Sequence, residues 1–277
     1  MDAINIAGLA CCFNTLSDCV ASINHDWKKR WNESDPGFCF RGADDSNYDL
    51  NPSLLRPPYP ATPESLATLE NSLWVEFRLR SKPLLGRHIN NSWEALLIMQ
   101  QYGFPTRLLD WSRSLAVAAY FAIRNSDVNE DGVVWVMAAR HLMQIRGATK
   151  AWRTIVGDPN LEALSLRQNK EKLEDFLHQT PIPLSPDQLV PRMVAQRGIY
   201  TLHSFQKDAL ESLAIEDAKN NGPGSFLHKI IIPSYAKESL RSELLVVAGI
   251  TEETVFPDIE GFARDFVSEY KKKMGLV

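Results

Sequence analysis

Positions 5–30 carry apolar residues at helical spacing and predict an amphipathic helix closed by Asp26-Trp27-Lys28-Lys29-Arg30. Gly37-Phe38-Cys39-Phe40-Arg41-Gly42 reads as a short β-strand stopped by a glycine. Five prolines follow between residues 43 and 63 (Pro52, Pro57, Pro58, Pro60, Pro63), which excludes a helix interior or central strand and leaves a long loop. Thr62-Pro63-Glu64 opens a helix through Leu66, Leu69, Leu73 and Phe77. Ser92-Trp93-Glu94 opens another, with Trp93, Leu96, Leu97 and Gln100 on one face, ended by Gly103-Phe104-Pro105. A helix from about Ser112 to Arg124 aligns Leu115, Ala118, Ala119 and Ala122, small residues that call for close packing on a neighbour. Val133-Val134-Trp135-Val136-Met137 is the clearest buried strand.

The second half is less regular. Residues 144–180 are charged and helix-like around a loop at Gly157-Asp158-Pro159, and Pro181-Ile182-Pro183-Leu184-Ser185-Pro186 interrupts them. Gln196 to His203 predicts a strand whose alternation puts Gln196, Gly198 and Tyr200 on one side. Residues 205–225 are polar, with a flexible point at Asn220-Asn221-Gly222-Pro223-Gly224. A strand at His228 to Pro233, a helix over 236–248 and a closing helix from Gly261 to Met274 complete the chain. These strand–loop–helix units are too irregular for a doubly wound sheet.

Composition narrows the classes. With 277 residues, 44% hydrophobic and 23% charged, the chain builds a sizeable core. A net charge of −4 gives no global basic field for polyphosphate chains or anionic lipid. The four cysteines (Cys11, Cys12, Cys19, Cys39) lack CxxC or Cys/His spacing, which argues against structural zinc. With Asp2 in place of a basic amino terminus and no run of ~18 apolar residues, a cytoplasmic protein with reduced thiols is expected.

Candidate chemistry concentrates in Gln100 to Ser112, where polar residues crowd between apolar segments as in the floor of a pocket. Arg41 at a strand end suits a phosphate or carboxylate, or a buried ion pair. Arg107 and Asp110 could pair with each other, and Asp110 or Ser112 could cap the following helix or leave its N–H groups to an anion. Trp111 is read as core and His203 as a satisfied strand residue. No GxGxxG, P-loop, HExxH or nucleophile elbow occurs.

Phe40-Arg41-Gly42, Tyr48-Asp49-Leu50-Asn51-Pro52-Ser53-Leu54-Leu55-Arg56 and Gln101-Tyr102-Gly103-Phe104-Pro105-Thr106-Arg107-Leu108-Leu109-Asp110-Trp111-Ser112 together resemble the FRG-domain family. Gln196-Arg197-Gly198-Ile199-Tyr200 and Phe256-Pro257-Asp258-Ile259-Glu260-Gly261 look like its later motifs, so the resemblance runs over nearly the whole chain. Gln100-Gln101 stands where the family usually has Gln-His. The resemblance implies a helical segment over 1–36 followed by a single domain over 37–277, and a bacterial effector of toxin or phage-defence systems.

The family pattern in turn is similar to ADP-ribosyltransferases. This implies an α+β fold with a split β-sheet core and flanking helices, NAD as substrate, a macromolecular acceptor and an inhibitory protein partner. Arg41, Asp110 and Gln196 would be the catalytic set, and Gly42, Thr106, Arg107, Ser112 and Tyr200 would bind substrate. In this reading Arg41 clamps the pyrophosphate, Ser112 and Thr106 hydrogen-bond the nicotinamide ribose, and Tyr200 stacks on nicotinamide. Gly198 stands where the catalytic glutamate is expected, so Asp110 or Glu76 would supply the carboxylate, or the same pocket would bind a nucleotide or partner without catalysis.

Overall fold

A computed structural model describes residues 37–59, 62–89, 91–125, 130–147, 181–205, 210–221 and 225–275, with 11–12, 14–21 and 23. The expected loop at Gly157-Asp158-Pro159, nearly all of the helix-like 144–180 stretch and the Gly222-Pro223-Gly224 point lie outside these residues.

The fold is α+β. Strands β1 (Cys11–Cys12), β2 (Phe38–Ala43), β3 (Leu108–Ser112), β4 (Gly132–Ala138), β5 (Ile182–Leu184), β6 (Gly198–Leu202) and β7 (Leu227–Ile232) form one sheet in the order β1-β7-β4-β2-β3-β6-β5. Pairing is antiparallel except between β1 and β7. Helices α1 (Pro63–Leu85), α2 (Ser92–Gln101), α3 (Leu115–Ile123), α4 (Ala139–Ile145), α5 (Pro191–Ala195), α6 (Leu210–Asn221), α7 (Lys237–Ala248), α8 (Glu252–Val255) and α9 (Ile259–Lys273) flank it. No described helix is long and apolar enough to cross a membrane.

Alternation along β4 serves two cores. Val134 and Val136 pack with Ala118, Ala119 and Ala122 of α3 on one face, while Val133, Trp135 and Met137 pack with Leu142, Leu210 and Phe226 on the other. The alanine stripe lets α3 approach closely where strand residues have no side chain. A Cβ on Gly42 would lie 1.8 Å from the Ala118 carbonyl oxygen, and one on Gly132 would lie 2.2 Å from that of Ala122.

Several sequence expectations need correcting. Cys11–Cys12 pairs with β7 as a strand instead of continuing a helix over 5–30. The helix after residue 112 starts at Leu115, with Ser114 as its cap (Oγ accepts from the Val117 N–H at 3.4 Å). Leu108–Ser112 is a strand between the two helices, not an irregular segment. Ile182–Leu184 is an edge strand despite Pro183, because only an edge tolerates a residue without an N–H. Gln196 caps α5 and the next strand starts at Gly198.

The sheet is tightly laddered between β2 and β4, from Phe38 opposite Ala138 to Ala43 opposite Val133. Between β2 and β3 the register holds only at Phe40 opposite Ser112. This single pair joins β1-β7-β4-β2 to β3-β6-β5 within the one seven-stranded sheet.

Candidate functional site

At the seam of β2 and β3, where Phe40 and Ser112 are the one pair in register, a side chain adds to the strand pairing. Arg41 Nη1 donates to the Asp110 carbonyl oxygen at 2.8 Å. Phe40, one residue earlier, goes into the core under α3, and Gly42, one residue later, admits the α3 backbone. The three consecutive residues thus have three separate jobs: core, seam and close approach.

An open cleft of about 350 Å³ lies at this seam. Arg41, Gly42, Asp110 and Ser112 line it from the two strands, Gln100 and Gln101 from α2, Phe121 and Arg124 from α3, and Arg192, Gln196 and Phe256 from the C-terminal half. Its volume falls in the range of small-molecule sites, as does its mix of rings and a few convergent polar groups.

The Asp110 carboxylate is set by a relay. The Leu108 N–H donates to Thr106 Oγ1 at 3.1 Å, the Thr106 hydroxyl donates to Gln100 Oε1, and Gln100 Nε2 donates to Asp110 Oδ2 at 2.7 Å. Thr106 therefore fixes which end of the Gln100 amide faces the carboxylate. Burial pushes the Asp110 carboxyl above its ordinary range, against the opposing pull of the Arg41 charge and the Gln100 hydrogen bond. Burial likewise lowers Arg41, and Asp110 counteracts it.

The turn entering β6 forms another wall. Ser112 Oγ donates to the Gln196 carbonyl at 2.6 Å and accepts from the Ser114 N–H at 2.9 Å. Gln196 Nε2 donates to the Val255 carbonyl at 3.3 Å, and the Arg113 N–H donates to the Arg197 carbonyl at 3.1 Å. These bonds hold Arg197 in the left-handed region at φ 49°, a conformation that non-glycine residues seldom adopt and that clusters near sites.

Beside the cleft, arginines paired with carboxylates gather around an aromatic ring, Arg264 bonding Glu252 at 2.7 Å. The guanidinium groups of Arg124, Arg192 and Arg264 lie 5.0, 5.4 and 5.3 Å from the Phe256 ring centre, and Phe121 meets Phe256 edge-on at 6.0 Å. Arg192 pairs with Asp258 at 2.5 Å, and Arg124 with Glu252 at 3.0 Å.

The expected residues divide into two groups. Arg41, Gly42, Asp110, Ser112 and Gln196 surround one cleft. Thr106, Arg107 and Tyr200 are buried outside its lining. Tyr200 cannot stack on a ligand there: its ring packs with Trp93, Leu96 and Leu97, and its hydroxyl accepts from Gln101 Nε2 at 2.8 Å. Arg107 pairs with Glu70 at 2.8 Å, not with Asp110, and donates to the His203 carbonyl at 3.1 Å. Glu76 lies on α1 in an exposed pair with Arg80 and does not line the cleft. Among the described residues Asp110 is the cleft's only carboxylate.

Sequence reasoning placed Gln100 and Gln101 in the candidate pocket stretch without giving either a role, and missed Phe121, Arg124, Arg192 and Phe256 as lining residues. The signals for them were thin: Gln100 and Gln101 precede the Tyr102-Gly103 pair, and Phe256 stands in a later motif. Among the described residues no cluster of His, Cys, Asp and Glu could hold a metal ion. Cys19 and Cys39 are buried and outside any disulfide, the Cys39 thiol donating to the Gly37 carbonyl at 3.4 Å, and burial pushes the Cys19 thiol up to about 12.

The FRG domain family model matches residues 36–131, which run from the residues before β2 to the edge of β4 and include Arg41, Gly42, Gln100 and Asp110. The chain carries an FRG domain over that stretch. The motifs at Gln196 and Phe256 fall beyond it. No curated protein and no solved structure matches the chain.

Proposed function

We propose that this FRG-domain protein binds a dinucleotide of the NAD class in the cleft at the β2–β3 seam and acts on the bond between nicotinamide and ribose. The observation that carries the reading is the placing of Arg41 and Asp110 on the two strands of that seam, with aromatic rings and further arginines lining the cleft. The cationic edge suits a pyrophosphate, and Phe121 and Phe256 supply the ring surface first sought in Tyr200.

In the proposed reaction the C1′–N bond breaks and its electron pair leaves with nicotinamide, which turns from a cationic into a neutral ring. The sugar passes through an oxocarbenium-like state, and Asp110, as a carboxylate, stabilises that charge. Water or an acceptor group then bonds to C1′, and its proton passes to Asp110 or solvent. A carboxyl group raised above its ordinary range is better matched to accept a proton near neutral pH. Ser112, Thr106 and Gln196 act at one remove in this scheme, holding the wall and the Gln100 amide instead of touching the ribose. Consumption of NAD fits the toxin or phage-defence setting that the resemblance implies, with an acceptor and an inhibitory partner outside the chain.

One observation favours a second reading, ligand binding without turnover. Asp110 is the cleft's only described carboxylate, and its Oδ2 is already held by Gln100. The discriminating experiment is chromatography of nicotinamide released from NAD by purified wild type and Arg41→Ala, beside thermal shifts with NAD and ADP-ribose. Release by wild type alone, with both proteins folded, supports the enzyme. Stabilisation by nucleotide without release supports binding only, and neither effect removes both readings.

A further inference from the structure

Helix α9 carries an apolar stripe on the side away from the rest of the fold. Its opposite side is fixed by Gly261, where a Cβ would lie 1.9 Å from the Phe256 carbonyl oxygen. Phe262, Phe266 and Tyr270, spaced about one helical turn apart, are 46, 55 and 57% exposed, with successive ring centres 5.8 and 6.1 Å apart. Ile259 and Val267 within the helix and Met274 just past its end extend the stripe and are at least half exposed. Single exposed apolar side chains are ordinary, but a contiguous ladder of rings in water marks a surface built to be covered.

The charges beside the stripe say what covers it. Residues 258–265 carry three carboxylates (Asp258, Glu260, Asp265) and one arginine, whereas residues 269–273 carry three lysines and one glutamate. Glu260 and Lys271 are both exposed, and the distance between them along the chain amounts to about three helical turns, so they flank the same edge of the stripe. Glu260 is held only loosely within its own chain, 3.6 Å from Arg192 and 3.8 Å from Arg264. A second α9 laid antiparallel, with Phe266 opposite Phe266 at the midpoint of Ile259–Lys273, sets Phe262 against Tyr270 and Glu260 level with the lysine run at both ends. A parallel pair in register would set glutamate against glutamate and lysine against lysine. The mixed charges along α9 also offer no basic face to an anionic membrane surface.

We propose that the exposed stripe of α9 is the interface with a second copy of this chain, an antiparallel helix pair centred on Phe266 in which Glu260 of each copy faces Lys271 of the other. Such an interface is isologous: one patch serves both copies, and each charge pair occurs twice. None of the stripe residues lines the β2–β3 cleft, so this surface is independent of the NAD reading.

Sedimentation equilibrium of the full chain over a range of concentrations reads the association, with circular dichroism checking that each variant is folded. Wild type should dimerise reversibly, and Phe266→Asp, at an exposed position, should weaken the dimer by about 30-fold or more, as loss of a central aromatic anchor does. Glu260→Lys and Lys271→Glu should each weaken it about 2- to 10-fold, the scale of two exposed ion pairs, and the double variant should return it to within about twofold of wild type. A chain that stays monomeric up to its solubility limit, alone or while sedimenting with phosphatidylserine vesicles, would overturn the proposal. So would a dimer that Phe266→Asp leaves intact, or single charge reversals that the double variant does not rescue.

Discussion

Gly42→Ala tests whether the glycine after Arg41 is there for packing. The added Cβ would sit 1.8 Å from the Ala118 carbonyl oxygen and 2.8 Å from the Ala122 nitrogen, both backbone atoms that no rotamer change can move. Ordinary contact needs a shift of α3 by roughly 1.5 Å, given that close packing tolerates little overlap. Such a shift opens the interface of Ala118, Ala119 and Ala122 with Phe40, Val134 and Val136. Overpacking of this kind costs about 1–3 kcal/mol where the neighbour can yield, and a helix backbone wedged on a strand belongs at or above the top of that range. Gly86→Ala is the control: φ is +66° with nothing within 4 Å of the new Cβ, so it carries only the left-handed penalty of about 1–2 kcal/mol. Urea unfolding by circular dichroism reads both. A Gly42→Ala midpoint equal to or above that of Gly86→Ala would refute the packing argument and return Gly42 to a ligand-contacting role.

Other expectations follow from the buried network and the relay. Arg107→Met leaves Glu70 buried without its partner and should cost about 3–5 kcal/mol, whereas Arg107→Met with Glu70→Met should recover much of that; additive losses in denaturation would contradict it. His203 is lowered to about 3 by burial and by the charges of Arg107 and Arg41, so below about pH 6.5 the unfolded chain takes up a proton that the native state refuses. Stability should therefore fall by up to ~1.4 kcal/mol per pH unit from this group as pH drops from about 6.5 toward 3, and the loss from pH 6.5 to 5 should be smaller in His203→Gln; equal losses would be the contrary result. Thr106→Val removes the hydroxyl that orients the Gln100 amide, so Asp110 should rise further and the acid limb of NAD cleavage should move to higher pH. An unmoved limb in the pH–rate profile would disconnect Thr106 from Asp110.

Long periodic segments were legible in the sequence because one face of each repeats its burial. The starts of α1 and α7 and the whole of β4 fall within a residue or two of their patterns. Short strands were not. Leu108 to Ser112 gives five residues beside a helical pattern, Ile182–Leu184 contains a proline, and Cys11–Cys12 is two residues long, so tertiary pairing alone defines them. The cleft divides in the same way. Arg41 and Gly42 stood out at the end of an apolar strand and Asp110 within the polar stretch from Gln100 to Ser112, whereas Arg124, Arg192 and Phe256 reach the cleft from elements whose placement no local pattern specifies. Tyr200 was grouped with Gln196 by a period-2 count, but the left-handed Arg197 ends α5 before β6 begins, and the count does not run across that break.

The most direct test of the central claim is the rate of nicotinamide release from NAD by wild type, Asp110→Asn and Glu76→Gln, each checked for folding. The account predicts release by wild type, a fall of about 10²-fold or more in Asp110→Asn, and an unchanged rate in Glu76→Gln, whose carboxylate lies outside the cleft. Full activity in Asp110→Asn, or loss in Glu76→Gln alone, would contradict it and move the reaction away from the β2–β3 seam.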